Sequence, residues 1–525
     1  MRSIRTPLIH TLRTAYRNAL MSKRHQVPVD AVAEWQATQW SRRKFLRNAT
    51  GAVALTGISG SAFLASCAKQ NPPVIAIVGA GIAGLHAGKI LRDAGFTAQI
   101  YESANRTGGR IFTGRNLMGI GLNTELGAEF IDSTHTDILR LAKDFNLSLL
   151  DTQNPEEQKL QHALFFIEGR VLSDHAILDL FSPFVQRIQQ DIDSLSHRIS
   201  YKSHSDHDVL IDNMSLAAYL QHIGISGVLY TLIEVAYTTE YGLDIAEQSA
   251  INFLMLIDTR MTDQFNYSGI SDERYKIIGG NQSLTDSLSD LLDGQIHTDK
   301  KLIAVRSQQE GDKVVLEFAS KGGGRETVTA DHVILTLPFS VLREVEIAYP
   351  ISDIKRRAIS ELGYGQNAKF FLGFNKKVWR EQGYTGFTFS DTIAQNTWDN
   401  TQLQQGEGAG YTVFTGGAAS KVMGAMANEA FAAESLSVLE KAYPGISATC
   451  NGKTSRFHWP TYPHAKASYA CFRPGQFTSL EGAQSEPAGR IRFAGEHCSY
   501  DFQGFMNGAA ETGRLAAEDI LRAIT

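Results

Sequence analysis

The hydrophobic pattern of the chain changes character several times along its length. In residues 1–40, Arg2, Arg5, Arg13, Arg17, Lys23 and Arg24 interleave with Leu8, Ile9, Leu12 and Leu20, a spacing that allows a basic amphipathic helix. No function attaches to that stretch, and Met21 offers an alternative start. From Val74 the pattern becomes that of a folded α/β protein. The run Val74-Ile75-Ala76-Ile77-Val78 predicts a buried strand, and Ala98-Gln99-Ile100-Tyr101 a second. Val333 to Leu337 is apolar on both faces, as a central parallel strand requires. Leu284, Leu288 and Leu291 mark an amphipathic helix, and strands are expected near Leu302 to Val305 and Val314 to Phe318. The stretch 146–269 reads as helical, for example Leu216 to Leu220 and Leu232 to Tyr241. In 346–464, Phe370 to Phe374 and Gly410 to Phe414 read as strands.

Between the first two strands lies Gly79-Ala80-Gly81-Ile82-Ala83-Gly84, and the second strand ends in Glu102. Gly79 allows the tight turn, Gly81 brings backbone close to phosphates, and Gly84 lets the helix pack on the strand. Glu102, roughly twenty residues past the glycines, is placed to take ribose hydroxyls. Strand, spacing and terminal acid together predict a dinucleotide held by its pyrophosphate at a helix N-terminus.

The next segment, Asn105-Arg106-Thr107-Gly108-Gly109-Arg110-Ile111, resembles the Arg-x-Gly-Gly-Arg segment of glutathione-reductase-like FAD proteins, in particular the flavin-dependent amine oxidases. Gly108 and Gly109 would admit backbone to the pyrophosphate, and Arg106 and Arg110 would add charge, Arg110 as a fork of donors. Phe493-Ala494-Gly495-Glu496-His497 and Gln503 to Ala517 resemble the C-terminal segment of the same family. The resemblance, to monoamine, polyamine and L-amino-acid oxidases, spans Val74 to Thr525. It implies an α/β fold, with a glutathione-reductase-like FAD domain from 72–145, 270–345 and 465–525, and an α+β substrate domain from 146–269 and 346–464. It implies that Gly127, Ala128, Gly495, Glu496, Phe505 and Met506 surround the cofactor, that a strand ends at Gly495-Glu496, and that backbone near Leu302 receives the adenine. A helix starting near Met506 would aim its positive end at the flavin ring.

The chemistry the resemblance implies is FAD-dependent oxidation of primary or secondary amines. Hydride leaves the carbon beside nitrogen for flavin N5, the imine hydrolyses, and oxygen is reduced to hydrogen peroxide. Tyr469 and Phe505 fall on the positions of two aromatic walls that orient the amine. Ser468 stands where some relatives carry a flavin-linking cysteine, so FAD is expected to be non-covalent. Lys369 matches a lysine that holds a water against N5. Phe130 replaces an arginine that binds substrate carboxylate in amino-acid oxidases, and Asp132 aligns with a carboxylate that guides cationic substrates. Three alternatives stay open. They are an L-amino-acid oxidase using Arg274 for the carboxylate, a dehydrogenase passing electrons to a periplasmic acceptor, and a desaturase-type or non-enzymatic flavoprotein.

Composition adds limits. The 525 residues are 43% hydrophobic and 20% charged, enough for two domains around a buried cofactor, and a net charge of −5 argues against nucleic acid. No apolar run reaches membrane-spanning length. Ser41-Arg42-Arg43-Lys44-Phe45-Leu46 before the apolar stretch Ala52 to Ala65 resembles a twin-arginine export signal, and Leu64-Ala65-Ser66-Cys67 a bacterial lipobox with Cys67 lipidated. These features imply an exported, periplasmic protein with a lipid anchor. Four cysteines allow one disulfide at most if Cys67 is lipidated, and no Cys/His spacing suggests a metal site. Oligomeric state is left open.

Overall fold

Ile75–Val78 and His332–Leu335 are buried at every position, because each lies inside a parallel sheet with strands on both sides. The strand order is Ile491–Phe493, His332–Leu335, Ile75–Val78, Ala98–Tyr101, Ile296–His297, parallel throughout. The computed structural model that shows this describes residues 7–25, 72–257, 272–308, 313–405 and 408–524. Two helices cover one face of the sheet, Ile82–Asp93 and the last helix, Met506–Ile524. His86 Nδ1 lies 2.8 Å from Ala510 O between them, and burial lowers the pKa of its ring.

A four-stranded sheet follows the order Arg325–Ala330, Val314–Ser320, Lys300–Ser307, Glu346–Ala348. A seven-stranded sheet runs Cys450–His458, Ala368–Phe374, Ala409–Thr415, Asn396–Asp399, Tyr384–Ser390, Gln161–Ile167, Arg170–Leu172. Two of these strands correct the reading of 146–269 as helical. In Gln161–Ile167 the five residues from Ala163 to Ile167 are all buried, and the strand lies parallel to Tyr384–Ser390. Helices dominate only after Asp174–Phe181. The strand before Gly495 also ends earlier than expected, at Phe493, and a single tight helical turn spans Glu496–Cys498.

The N-terminal stretch holds a second surprise. Pro7–His25 is a helix packed among Asp174–Phe181, Val185–Ser194, Gly227–Tyr241 and Ala250–Ile257. Leu12, Ala15, Tyr16 and Ala19, spaced i, i+3, i+4, i+7, are 0–5% exposed. The Tyr16 hydroxyl donates to Gln189 Oε1 at 3.0 Å, and its ring meets Phe181 edge-on at 6.4 Å. The helix is therefore an element of the core. Tyr16→Ala removes a buried ring and a hydrogen bond, and should cost about 3–5 kcal/mol of stability. Denaturant unfolding checks this, and an unchanged midpoint would mean the helix is dispensable.

Arg42, Arg43 and Cys67 lie outside the described residues. Among those described, Cys450 is half-buried and Cys471 and Cys498 are buried, and burial pushes the Cys498 thiol up to about 12. No helix of the described residues is long and apolar enough to cross a membrane.

Candidate active site

A large cavity extends from the carboxyl ends of the parallel strands to the seven-stranded sheet, with about 1680 Å³ of space including its open mouth. Its first end is built by the glycine turn. Gly79 has φ +105, outside the range of ordinary side chains, and a Cβ on Gly84 would lie 2.0 Å from Gly79 O. Gly81 and Gly109 face each other so closely that a Cβ on Gly109 would be 3.2 Å from Gly81 Cα. Bare backbone and the free N–H groups of the helix starting at Ile82 thus line the wall, which suits a pyrophosphate. Gly108 N–H donates to Ala80 O at 2.8 Å and ties the second glycine segment to the first.

Glu102 lines this end, its carboxylate oriented by N–H groups of Ala80 (2.8 Å) and Ala104 (2.7 Å), with lone pairs left for ribose hydroxyls. Leu302 lies in a smaller adjoining cavity with Tyr101 and Lys301, which shares Ser103, Leu337 and His464 with the large one. Two arginines are partly engaged within the protein. Arg110 lines the cavity, and its Nη1 donates to Glu496 Oε1 (2.8 Å) and Ser468 O (2.7 Å), so one corner of the guanidinium is a strut inside the protein. The reason is electrostatic: the buried Glu496 carboxylate needs a counter-charge. Arg106 donates from Nη1 to Thr107 O and from Nη2 to Gly109 O, keeps a buried Nε without a partner, and lies 3.7 Å over the Phe112 ring.

Glu496 also accepts from Ala470 N–H (3.2 Å) and Gly504 N–H (2.8 Å), binding together the segments that carry Tyr469 and Phe505. Both aromatics line the cavity, with Gly127, Ala128, Gly495 and Met506. Phe505 packs edge-on against His135 at 5.0 Å, and the Tyr469 hydroxyl is 3.4 Å from Thr239 O. The helix beginning at Met506 opens into the cavity at its N-terminus. Ser468 Oγ donates to Asn367 Oδ1 at 2.6 Å.

Beyond these aromatics the wall is formed by Phe130, Phe387, Trp398 and Phe414, with Glu129, Asp132, Glu273 and Asn396 as its polar members. Lys369 is here, but its ammonium donates to Glu125 O (3.0 Å), Gly127 O (2.9 Å) and Glu129 Oε2 (2.9 Å). All three protons have protein acceptors, because a buried ammonium must be satisfied, so a water on Lys369 would have to share or displace one of them. Glu129 Oε1 takes Lys276 Nζ (2.8 Å) and Trp398 Nε1 (2.9 Å). Burial alone would raise the Glu129 carboxyl, but the two ammonium groups outweigh it and hold the pKa below the ordinary value. Burial pushes neighbouring Glu125 up to about 7.

Asp132 is buried at the cavity wall. Its Oδ1 accepts Glu273 N–H at 3.0 Å and its Oδ2 is 3.3 Å from His135 Nε2. The Glu273 carboxyl is raised well above the usual range by burial, then by Asp132, Glu240 and Glu129. Arg274 does not face the cavity: its guanidinium is bidentate on Asp151 at 3.0 and 2.8 Å. Glu129, Glu273, Asn396 and Trp398 escaped the sequence reading. Only Glu129, inside the Gly127-Ala128 segment, had a neighbouring signal.

The residues at the first end fit FAD, and comparison with known proteins agrees. The family described as flavin containing amine oxidoreductase matches residues 82–521. An L-amino-acid oxidase of Demansia vestigiata is 24% identical over 477 residues, covering 86% of this chain and 88% of its own. The flavin-containing amine oxidase B of Homo sapiens is 23% identical over 478 residues, covering 87% of each. The solved structure of cyclohexylamine oxidase from Brevibacterium oxydans IH-35A superposes with a TM-score of 0.75 at 20% identity, over 86% of this chain and 99% of that one. Together with the glycine cradle and the aromatic-walled cavity, these matches establish that the chain belongs to the flavin-containing amine oxidoreductase family and is an FAD-dependent enzyme of amine oxidation.

Proposed function

We propose that the substrate is a primary or secondary amine lacking a carboxylate next to nitrogen and carrying a second cationic group, with oxygen as acceptor and hydrogen peroxide as product. The observation that carries this reading is a pair of orphaned acceptors in an aromatic cavity. Glu273 Oε2 and Asn396 Oδ1 are buried without hydrogen-bond partners, and both residues line the wall. They suit N–H donors. Of the cations among the described lining residues, Arg106 donates to Thr107 O and Gly109 O, Arg110 pairs with Glu496 and Lys369 with Glu129, and Phe130 offers nothing to a carboxylate. That disfavours the amino-acid alternative.

The hydride-accepting chemistry belongs to bound FAD, held non-covalently; the chain orients the amine and excludes water. Tyr469 and Phe505 set the orientation, and Glu273 and Asn396 accept from the far cation with the Asp132 charge beside them. A bound cation favours the ionised form of Glu273, whose carboxyl is raised in the free protein. Affinity for a diamine should therefore rise with pH through that titration, while a monoamine of equal length gains less. Asp132→Asn combined with Glu273→Gln should lower kcat/KM for the diamine by about a hundredfold, the charge-assisted contact to Glu273 and the Asp132 charge beside it being worth about 3 kcal/mol in sum. A wild-type preference for the monoamine or for an α-amino acid would sink the proposal.

We further propose export by the twin-arginine route and lipid attachment at Cys67, supported by Arg42-Arg43 and Leu64 to Cys67. A cut before Cys67 would sever the docked helix Pro7–His25 from the catalytic body. Arg42→Lys with Arg43→Lys should strand a flavin-loaded precursor in the cytoplasm, and Cys67→Ala should release protein from membranes. Membrane fractionation that ignores Cys67→Ala would count against the anchor.

A further inference from the structure

At the substrate end of the cavity one carboxylate serves two buried ammonium groups. Lys276 and Lys369 are each 6% exposed at the side chain and Glu129 3%, with N···O distances of 2.8 and 2.9 Å. Lys276 Nζ sits 4.6 Å over the Phe130 ring and Lys369 Nζ 5.2 Å over Trp398. Both aromatics line the cavity, so the two positive charges stand just behind the surface a substrate meets. For an amine, which arrives as a cation at neutral pH, two uncancelled ammonium groups there would be repulsive.

We propose that Glu129 is the specificity-determining residue for charge in this cavity: by offsetting one of the two charges of Lys276 and Lys369 it shifts the preference of the aromatic pocket toward cations and away from carboxylates. The neighbouring charges act in the same sense. Glu125 accepts from Thr113 Oγ1 and Asn281 N–H beneath Lys369, and its carboxyl, pushed up to about 7 by burial, adds negative charge as pH rises through neutrality. Glu273 feels the charges of Asp132, Glu240 and Glu129, and its own carboxyl, held well above the usual range by burial, contributes negative charge only as pH rises. Removing the Glu129 charge turns the Lys276–Glu129–Lys369 group from a net charge of one to two, directly behind Phe130 and Trp398. The pocket then resembles an anion site with an aromatic lid.

The inference rests on the family's amine chemistry, but its test needs no turnover and no knowledge of the natural substrate. 2-Phenylpropan-2-amine, which has no hydrogen on the carbon beside nitrogen and cannot reduce the flavin, and 2-methyl-2-phenylpropanoate, similar in shape and opposite in charge, are titrated into FAD-loaded protein at fixed pH and read by calorimetry and by perturbation of the flavin spectrum. In Glu129→Gln the ratio of amine to carboxylate affinity should fall by about a thousandfold, because one unit charge about 8 Å away at an effective dielectric near 20 weakens the cation about thirtyfold and strengthens the anion by the same factor. Glu129→Asp should restore most of the ratio. Lys276→Met, which leaves a one-to-one pair of Glu129 and Lys369, should shift the ratio the opposite way. It tests the idea even if Glu129→Gln fails to fold. Folded, flavin-loaded Glu129→Gln with the wild-type ratio, or Lys276→Met with no shift, overturns the assignment. Failure of both probes to bind wild type, with the ratio shift appearing only for larger amines and acids, would revise the pocket's size and leave the charge rule standing.

Discussion

Gly84→Ala should yield protein with less than about a tenth of the wild-type FAD, although most of the chain still folds. The new Cβ would lie 2.0 Å from Gly79 O and 3.2 Å from Ile77 Cγ2, and the first of these is backbone. Gly79 cannot retreat easily, because it holds φ +105 and Thr336 Oγ1 donates to Val78 O (2.8 Å) and Gly79 O (3.2 Å). The helix Ile82–Asp93 must therefore move away by about 1 Å, and its free N–H groups leave the position where an anion at ordinary hydrogen-bond length can be held. Losing two such charge-assisted bonds costs about 3 kcal/mol or more, about a hundredfold in affinity. Gly88→Ala, one turn further on, is the control. Its Cβ meets Ile100 Cδ1 and Leu292 Cδ1 at 3.0 Å, the far ends of side chains that can turn aside. Flavin-to-protein absorbance after gel filtration decides the matter, and stoichiometric FAD in Gly84→Ala would show that the turn tolerates the shift.

That turn was legible in the sequence because a pyrophosphate is gripped by consecutive backbone, so its chemistry is written in neighbouring residues. The parallel strands were legible for a similar local reason, being apolar on both faces. What failed were pairings across the chain. Arg110 reads as a phosphate ligand beside Gly108-Gly109 and does line the cavity, but its bond to Glu496, 386 residues away, is announced by nothing near it. Glu129 meets Lys276 across 147 residues and Lys369 across 240, so the charge arrangement of the substrate end emerges only when two sheets close on each other. The strand Gln161–Ile167 was lost in a helical neighbourhood because a short apolar run carries no period of its own, and its parallel partner Tyr384–Ser390 is remote. The N-terminal helix was half legible. Its stripe of Leu12, Tyr16 and Ala19 fits an amphipathic helix, but the basic residues between them read equally as a surface-seeking segment until its helical socket was seen.

The aromatic walls give the second large effect. Tyr469→Ala should slow anaerobic flavin reduction by the best amine about ten- to a hundredfold, or about 1.4 to 2.7 kcal/mol of lost orientation. Tyr469 is fixed through the backbone: its carbonyl accepts Gly365 N–H at 2.8 Å, and the adjoining Ala470 N–H is held by Glu496. Its hydroxyl contact to Thr239 O is long, 3.4 Å, so Tyr469→Phe should keep most of the rate. Phe505, braced by His135, forms the other wall, and Phe505→Ala should act in the same direction. The reductive rate should also rise with pH. A free alkyl ammonium titrates near about 10.4, an apolar slot lowers that value by disfavouring charge, and only the neutral amine can release hydride from its neighbouring carbon. Alanine at 469 rehydrates the slot, so the inflection of this profile should move up toward the free-amine value while the plateau falls. Stopped-flow reduction across pH separates the two outcomes: a wild-type rate and an unmoved inflection in Tyr469→Ala would make both aromatics ordinary core.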